Sequence, residues 1–156
     1  MSRLRTILAG PTGVAILCAL VLFMLYLRTT APDITWTPSN EDSGDIIAAA
    51  WVRGIPHPTG YPWYLLTCKA VMDLVPLGTI AWRAHLYSSI NGVLACVLAG
   101  LALRQLAHVF LPGLPPERTR PWLQATATLL AGVSFPVWSQ SIIAEVYAAS
   151  LAFVAA

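Results

Sequence analysis

Between Glu41 and Tyr64 the sequence reads EDSGDIIAAAWVRGIPHPTGYPWY, with the carboxylates Glu41, Asp42 and Asp45 ahead of a His-Pro-Thr-Gly-Tyr-Pro turn. Carboxylates grouped beside apolar sequence repel one another and lose hydration. That raises the pKa of at least one and suits it to act as a general base, or else the group holds a cation. Acids at a helix start also complement the macrodipole, at roughly 0.3 to 1 kcal/mol each, but capping needs one such residue and not three. From Ile55 to Pro62 the chain holds Pro56, Pro58, Pro62 and Gly60. A segment so constrained has little freedom to lose, so it either presents His57 and Tyr61 in a fixed geometry or is simply a rigid turn. Local physics leaves both open, and a catalytic or ion-binding acid pair belongs to no single reaction.

The elements that must position these groups follow from composition. The chain has 57% hydrophobic and 10% charged residues and a mean hydropathy of +0.68, whereas a soluble domain carries about 25% charged residues. An integral membrane protein of the all-α class is expected. The net charge of +2 says little about nucleic acid; no basic stripe interleaved with aromatics appears, the arginines read as topology signals, and no nucleic-acid partner is expected. Cys18, Cys68 and Cys96 show no CxxC spacing and read as small apolar fillers.

Ile7 to Leu27 runs without a charge, the length that about 30 Å of hydrocarbon requires. It reads as an uncleaved anchor: the run is longer than a signal peptide's apolar region, and no A-x-A-like site follows. A second run, Leu86 to Leu103, lies between Arg83 and Arg104 and carries Ser88, Ser89, Asn91 and Gly92, small polar residues suited to close helix packing. A third begins near Trp122, interrupted by Pro136 and Trp138-Ser139-Gln140, and a fourth runs from Ile142 to Ala156. The expectation is a multi-pass bundle with transmembrane helices at about 7–27, 84–110, 121–136 and 140–156, an outer loop over 29–83 and a cytoplasmic loop over 111–120. The last apolar run ends without a cap or polar flank, so 1–156 is expected to be the N-terminal part of one larger membrane domain.

Arg3 and Arg5 precede the first run and Arg104, Arg118 and Arg120 follow the second, while the intervening loop holds Asp33, Glu41, Asp42, Asp45 and Asp73. The positive-inside rule then makes the N-terminus cytoplasmic and the acidic loop outward-facing. The loop is expected to form two short interfacial helices, Asp45 to Arg53 with Asp42 or Ser43 as cap and Gly54 as stop, and Pro62 to the stop at Pro76. Trp51, Tyr61, Trp63, Tyr64 and Trp82 should sit at headgroup depth.

The order of transmembrane run, Asp-Ser-Gly-Asp (42–45), Gly-Ile-Pro-His-Pro-Thr-Gly-Tyr-Pro-Trp-Tyr (54–64) and, much later, Phe-Pro-Val-Trp-Ser-Gln-Ser-Ile-Ile-Ala-Glu-Val-Tyr (135–147) resembles the multi-pass family long catalogued as a domain of unknown function, whose animal members are protein O-mannosyltransferases. It is also similar, more distantly, to the GT-C glycosyltransferases. The resemblance implies an inverting membrane glycosyltransferase that moves a mannose-like sugar from a polyprenyl-phosphate carrier to a hydroxyl of a protein or glycan acceptor, on the outer face of a cell membrane or the lumenal face of the endoplasmic reticulum. The fragment alone is expected to be inactive. It implies Asp42 as the base and Asp45, which stands where the family usually shows Glu, in a supporting or alternative role. His57, Pro58, Gly60, Tyr61 and Pro62 match the family turn, and Thr59 replaces its second proline.

Glu41, Arg53, Glu145 and Tyr147 complete the expected substrate-binding set, with Lys69 a further possible phosphate partner. Arg53 and Lys69 read more readily as interfacial anchors or snorkelling side chains than as phosphate partners. A divalent cation at the acids is conceivable, but the sequence contains no ligand set that demands one. The competing class is a non-enzymatic transporter or accessory subunit in which Asp42, Asp45 and Glu145 bind ions. That class predicts mid-membrane acids and discontinuous helices.

Overall fold

The computed structural model describes residues 10–35, 42–111, 113 and 119–156. All secondary structure among them is helical, in seven elements: α1 (Pro11–Thr29), α2 (Ser43–Val52), α3 (Pro62–Leu74), α4 (Ile80–Phe110), α5 (Thr119–Val133), α6 (Phe135–Ser141) and α7 (Val146–Ala155). Two of these, α1 and α4, are long and apolar enough to cross a membrane; α6 and α7 meet at a bend of 117° and would make a third span if taken as one broken helix.

The central element is α4, which packs against every other helix. At 31 residues it is about 46 Å long, half again the thickness of the hydrocarbon layer. It begins at Ile80 because the Thr79 hydroxyl accepts the Trp82 N–H at 3.1 Å, a cap that lies outside the apolar run and so extends the helix beyond it. Gly92 and Gly100 let neighbours approach: a Cβ on Gly92 would run into Ser141 and the Tyr26 ring, and one on Gly100 into Thr128. One core, of Leu22, Tyr26, Val93 and Cys96, lies between α1, α4, α5 and α6. A second joins α2 and α3 to the first turns of α4 through Ile46, Ala50, Leu65, Met72 and Ala84.

Local details depart from the sequence expectation in three places. Pro136 sits in the first turn of α6, where a missing N–H costs nothing, so it starts a helix instead of interrupting one. The interruption falls at Ile142–Glu145. Its freed backbone groups are satisfied by protein: the Ala31 N–H donates to the Ile142 carbonyl at 3.2 Å, and Ser89 Oγ donates to the Ser141 carbonyl at 2.9 Å. Second, α2 ends at Val52, one residue short of the expected Arg53, because Arg53 itself adopts the left-handed conformation (φ 55°). Third, Tyr64 is buried inside the protein at 4% exposure, its hydroxyl bonded to Ser88 Oγ at 3.1 Å. The three cysteines are buried and free.

Candidate active site

The acidic segment and the proline turn meet in space. Asp42 stands at the start of α2 without capping it, and Asp45 lies in its first turn. One oxygen of Asp45, Oδ2, accepts both the His57 backbone N–H at 2.9 Å and His57 Nδ1–H at 2.8 Å. That double hold fixes the imidazole's tautomer and aims Nε2 at Asp42 Oδ2, 3.6 Å away. The hydrogen bond to Asp45, followed by the charges of Asp42, Asp45 and Glu145, raises the His57 pKa above its ordinary value, and the two His57 bonds lower that of Asp45. The raised value favours the imidazolium form of His57 between Asp42 and Asp45.

The turn between α2 and α3 delivers this geometry. Gly60 (φ 86°) closes it with its N–H on the His57 carbonyl at 3.1 Å, in a conformation that only glycine adopts freely. Tyr61 follows, also left-handed, and its ring meets the His57 ring edge-on at 5.6 Å. Pro62 then opens α3, its fixed φ suiting the first helical position.

The second motif reaches the same place from the far end of the chain. Glu145, 4% exposed, occupies the cap position before α7, close enough for its charge to act on His57 and for Asp42 to act on it. Ser88 pins it: Ser88 Oγ donates to the Glu145 carbonyl and accepts the Glu145 N–H, both at 3.3 Å, while also meeting the Tyr64 hydroxyl. Beside this cluster a groove of about 410 Å³ runs along Tyr61, Pro62, Trp63 and Tyr64 on one wall and Val146 and Phe153 on the other. Its lining is mostly apolar, and Tyr61 is common to groove and cluster.

Residues 42–156 match the family model described as the protein O-mannosyl-transferase TMEM260 N-terminal domain. The chain belongs to this family. The match to the TMEM260 N-terminal domain opens on Asp42 and takes in the turn, the Ile142–Glu145 break and α7. Among curated relatives, the chain is 33% identical over 116 residues to the protein O-mannosyl-transferase TMEM260 of Mus musculus, covering 72% of this chain and 14% of that protein. It is 25% identical over 146 residues to the protein O-mannosyl-transferase tmem260 of Dictyostelium discoideum, covering 90% of this chain and 16% of that protein. The chain therefore spans about one seventh of the length of these relatives. No solved structure matches it.

Of the residues singled out in the sequence, Asp42, Asp45, His57, Gly60, Tyr61 and Glu145 come together. Tyr147 does not join the cluster's hydrogen bonds and is 57% exposed. Arg53 is exposed at the end of α2 and has no ion pair among the described residues. Lys69 is occupied, paired with Asp73 one turn on and lying 4.7 Å over the Trp51 ring, which takes it out of the set of free cations. Glu41 lies outside the described residues. Among those residues no group of three or more His, Cys, Asp and Glu side chains is disposed to hold a metal ion; Asp42 and Asp45 face an imidazole between them instead. Tyr64 and Ser88 were legible only as an interfacial aromatic and a small packing residue; nothing in the sequence signals that they hold Glu145.

Proposed function

We propose that this chain carries the acceptor-activating half of a membrane glycosyltransferase of the GT-C type, which moves a mannose-like sugar from a polyprenyl-phosphate carrier to a hydroxyl, with inversion, on the outer or lumenal face. Asp42 is the base. One oxygen of Asp45, Oδ2, already accepts two His57 N–H groups, whereas Asp42 meets the ring only at ion-pair distance and its side chain is 55% exposed, so both its oxygens remain able to take a proton from an incoming hydroxyl. Asp45 is a positioning residue. Protonated His57 supplies positive charge near the site where a phosphate departs, a role that Arg53 is also placed in sequence to assist.

The observation that carries this reading is the adjacency of an exposed carboxylate to an apolar groove through Tyr61. A reaction between a lipid-borne donor and a water-borne acceptor needs both surfaces at one place. The names of the relatives, protein O-mannosyl-transferases, support the same class.

The break at Ile142–Glu145 is the discontinuous helix that an ion-conducting reading predicts. Its depth argues otherwise. Glu145 is held by Ser88, five residues along α4 from Arg83. That is about 7 Å of helix, against roughly 15 Å to the bilayer midplane.

The test is donor choice by the full-length protein in proteoliposomes. Mannose should pass to an acceptor peptide from polyprenyl-phosphate mannose and not from a nucleotide-linked mannose. Equal transfer from the soluble donor would remove the reason for the groove and overturn the lipid-carrier reading.

A further inference from the structure

A second polar constellation lies at the other end of the bundle. A pocket of about 360 Å³ is lined by Pro11 at the start of α1 and by Leu101, Arg104, Gln105 and His108 on α4. Arg83 and Arg104 are 21 positions apart on one helix, about 32 Å, so this pocket sits about one hydrocarbon thickness along α4 from Arg83. By the arginine distribution it is on the cytoplasmic side.

Arg104 is fixed there by a buried amide. Gln124 on α5 has no exposed surface; its Nε2 donates to the Pro11 carbonyl at 3.0 Å, and its Oε1 accepts from Arg104 Nη1 at 3.4 Å. The amide is thus locked between two helices with its oxygen turned to the guanidinium. Among the described residues no carboxylate lies within ion-pair distance of Arg104. A guanidinium has five N–H donors and Gln124 takes one. The rest of the fork, with the His108 imidazole one turn further on, borders a cavity large enough for a tetrahedral anion and the glycerol next to it.

We propose that this pocket binds a phosphate-bearing anion. The ligand chemistry is a phosphodiester or phosphate group received by Arg104 and His108, with Leu101 and Pro11 against its apolar neighbour. A cationic notch between helices at a membrane boundary is the physical form that anionic headgroups select.

The experiment uses the full-length protein in nanodiscs of mixed phosphatidylcholine and phosphatidylglycerol, with lipid retention read by native mass spectrometry. A parallel arm measures the melting shift in detergent on adding inorganic phosphate. Preferential retention of phosphatidylglycerol identifies a headgroup as the source, and a saturable phosphate shift identifies a free anion; either supports the site. Arg104→Gln should weaken the binding about tenfold or more and His108→Gln about threefold, the loss of a guanidinium contact and of one imidazole hydrogen bond. If Arg104→Gln fails to fold, exposed His108 carries the test. Equal retention of both lipids with no phosphate shift overturns the proposal, as does wild-type binding in every variant that folds.

Discussion

Replacing Ser88 with alanine should loosen the joint between the two halves of the site. Ser88 is fully buried, and its single hydroxyl serves three partners: it donates to the Glu145 carbonyl and accepts from the Glu145 N–H and the Tyr64 O–H. Alanine leaves all three without that partner in a region closed to water. An orphaned buried polar group costs about 1 to 3 kcal/mol. The two bonds to Glu145, at 3.3 Å, are long and belong at the lower end. The expected destabilisation is therefore about 3 to 5 kcal/mol, where a typical surface change stays within about 0.5. The assay is an unfolding titration in detergent micelles followed by tryptophan fluorescence, with Ser150→Ala as the control. Ser150 Oγ makes only an exposed bond to the Val146 carbonyl of its own helix. Sugar transfer by full-length Ser88→Ala should also fall, because Glu145 is no longer held against the Asp42–His57 pair. An unfolding midpoint for Ser88→Ala indistinguishable from that of Ser150→Ala would refute the claim that this hydroxyl joins the two motifs.

Three further outcomes are expected. Gly92→Ala should destabilise by about 1 to 3 kcal/mol in the same titration, since the new methyl meets Ser141 and the Tyr26 ring with no room to retreat. Asp45→Asn should return the His57 pKa toward its ordinary 6.5, measured by NMR of labelled histidine, because the Asp45 hydrogen bond is the largest cause of its rise. The same pair sets a pH window. Asp45, with a lowered pKa, contributes above its ordinary 3.8 and loses its effect as pH falls through the lowered value; His57, with a raised one, contributes below 6.5 and loses its effect as pH climbs through the raised value. The stability difference between wild type and Asp45→Asn should accordingly be largest between about pH 4 and 6.5 and shrink on the alkaline side. A difference that grew with pH would contradict the pairing.

The parts of the fold legible in the sequence were those written in local chemistry. The charge-free run at α1, Pro62 as the start of α3 and the rigid turn through Pro56, Pro58 and Gly60 each follow from residue types obeying local constraints. The α6–α7 break was harder to place, because what stabilises it is remote: Ala31, Ser88 and Ser89 satisfy its backbone, and serines in an apolar run look the same whether they bond across helices or only allow close packing. The candidate site divides in the same way. Clustered acids beside a rigid turn announced Asp42, Asp45 and His57, but that one Asp45 oxygen takes both His57 N–H groups while Asp42 meets the ring only at ion-pair distance depends on how α2 and the turn fold back on each other. Spacing alone cannot rank two carboxylates three residues apart. Lys69 shows the converse: its charge was visible, its engagement by Asp73 and Trp51 was not.

The central claim is that Asp42 takes the proton of the acceptor hydroxyl. It is tested most directly by single-turnover transfer of mannose from polyprenyl-phosphate mannose by full-length Asp42→Asn, with donor binding measured on the same preparation. The amide keeps the shape and removes the base, so transfer should drop by about 10² to 10⁴-fold while donor affinity stays within about threefold of wild type. Transfer at the wild-type rate, or an equal loss of rate and donor binding, would contradict the assignment.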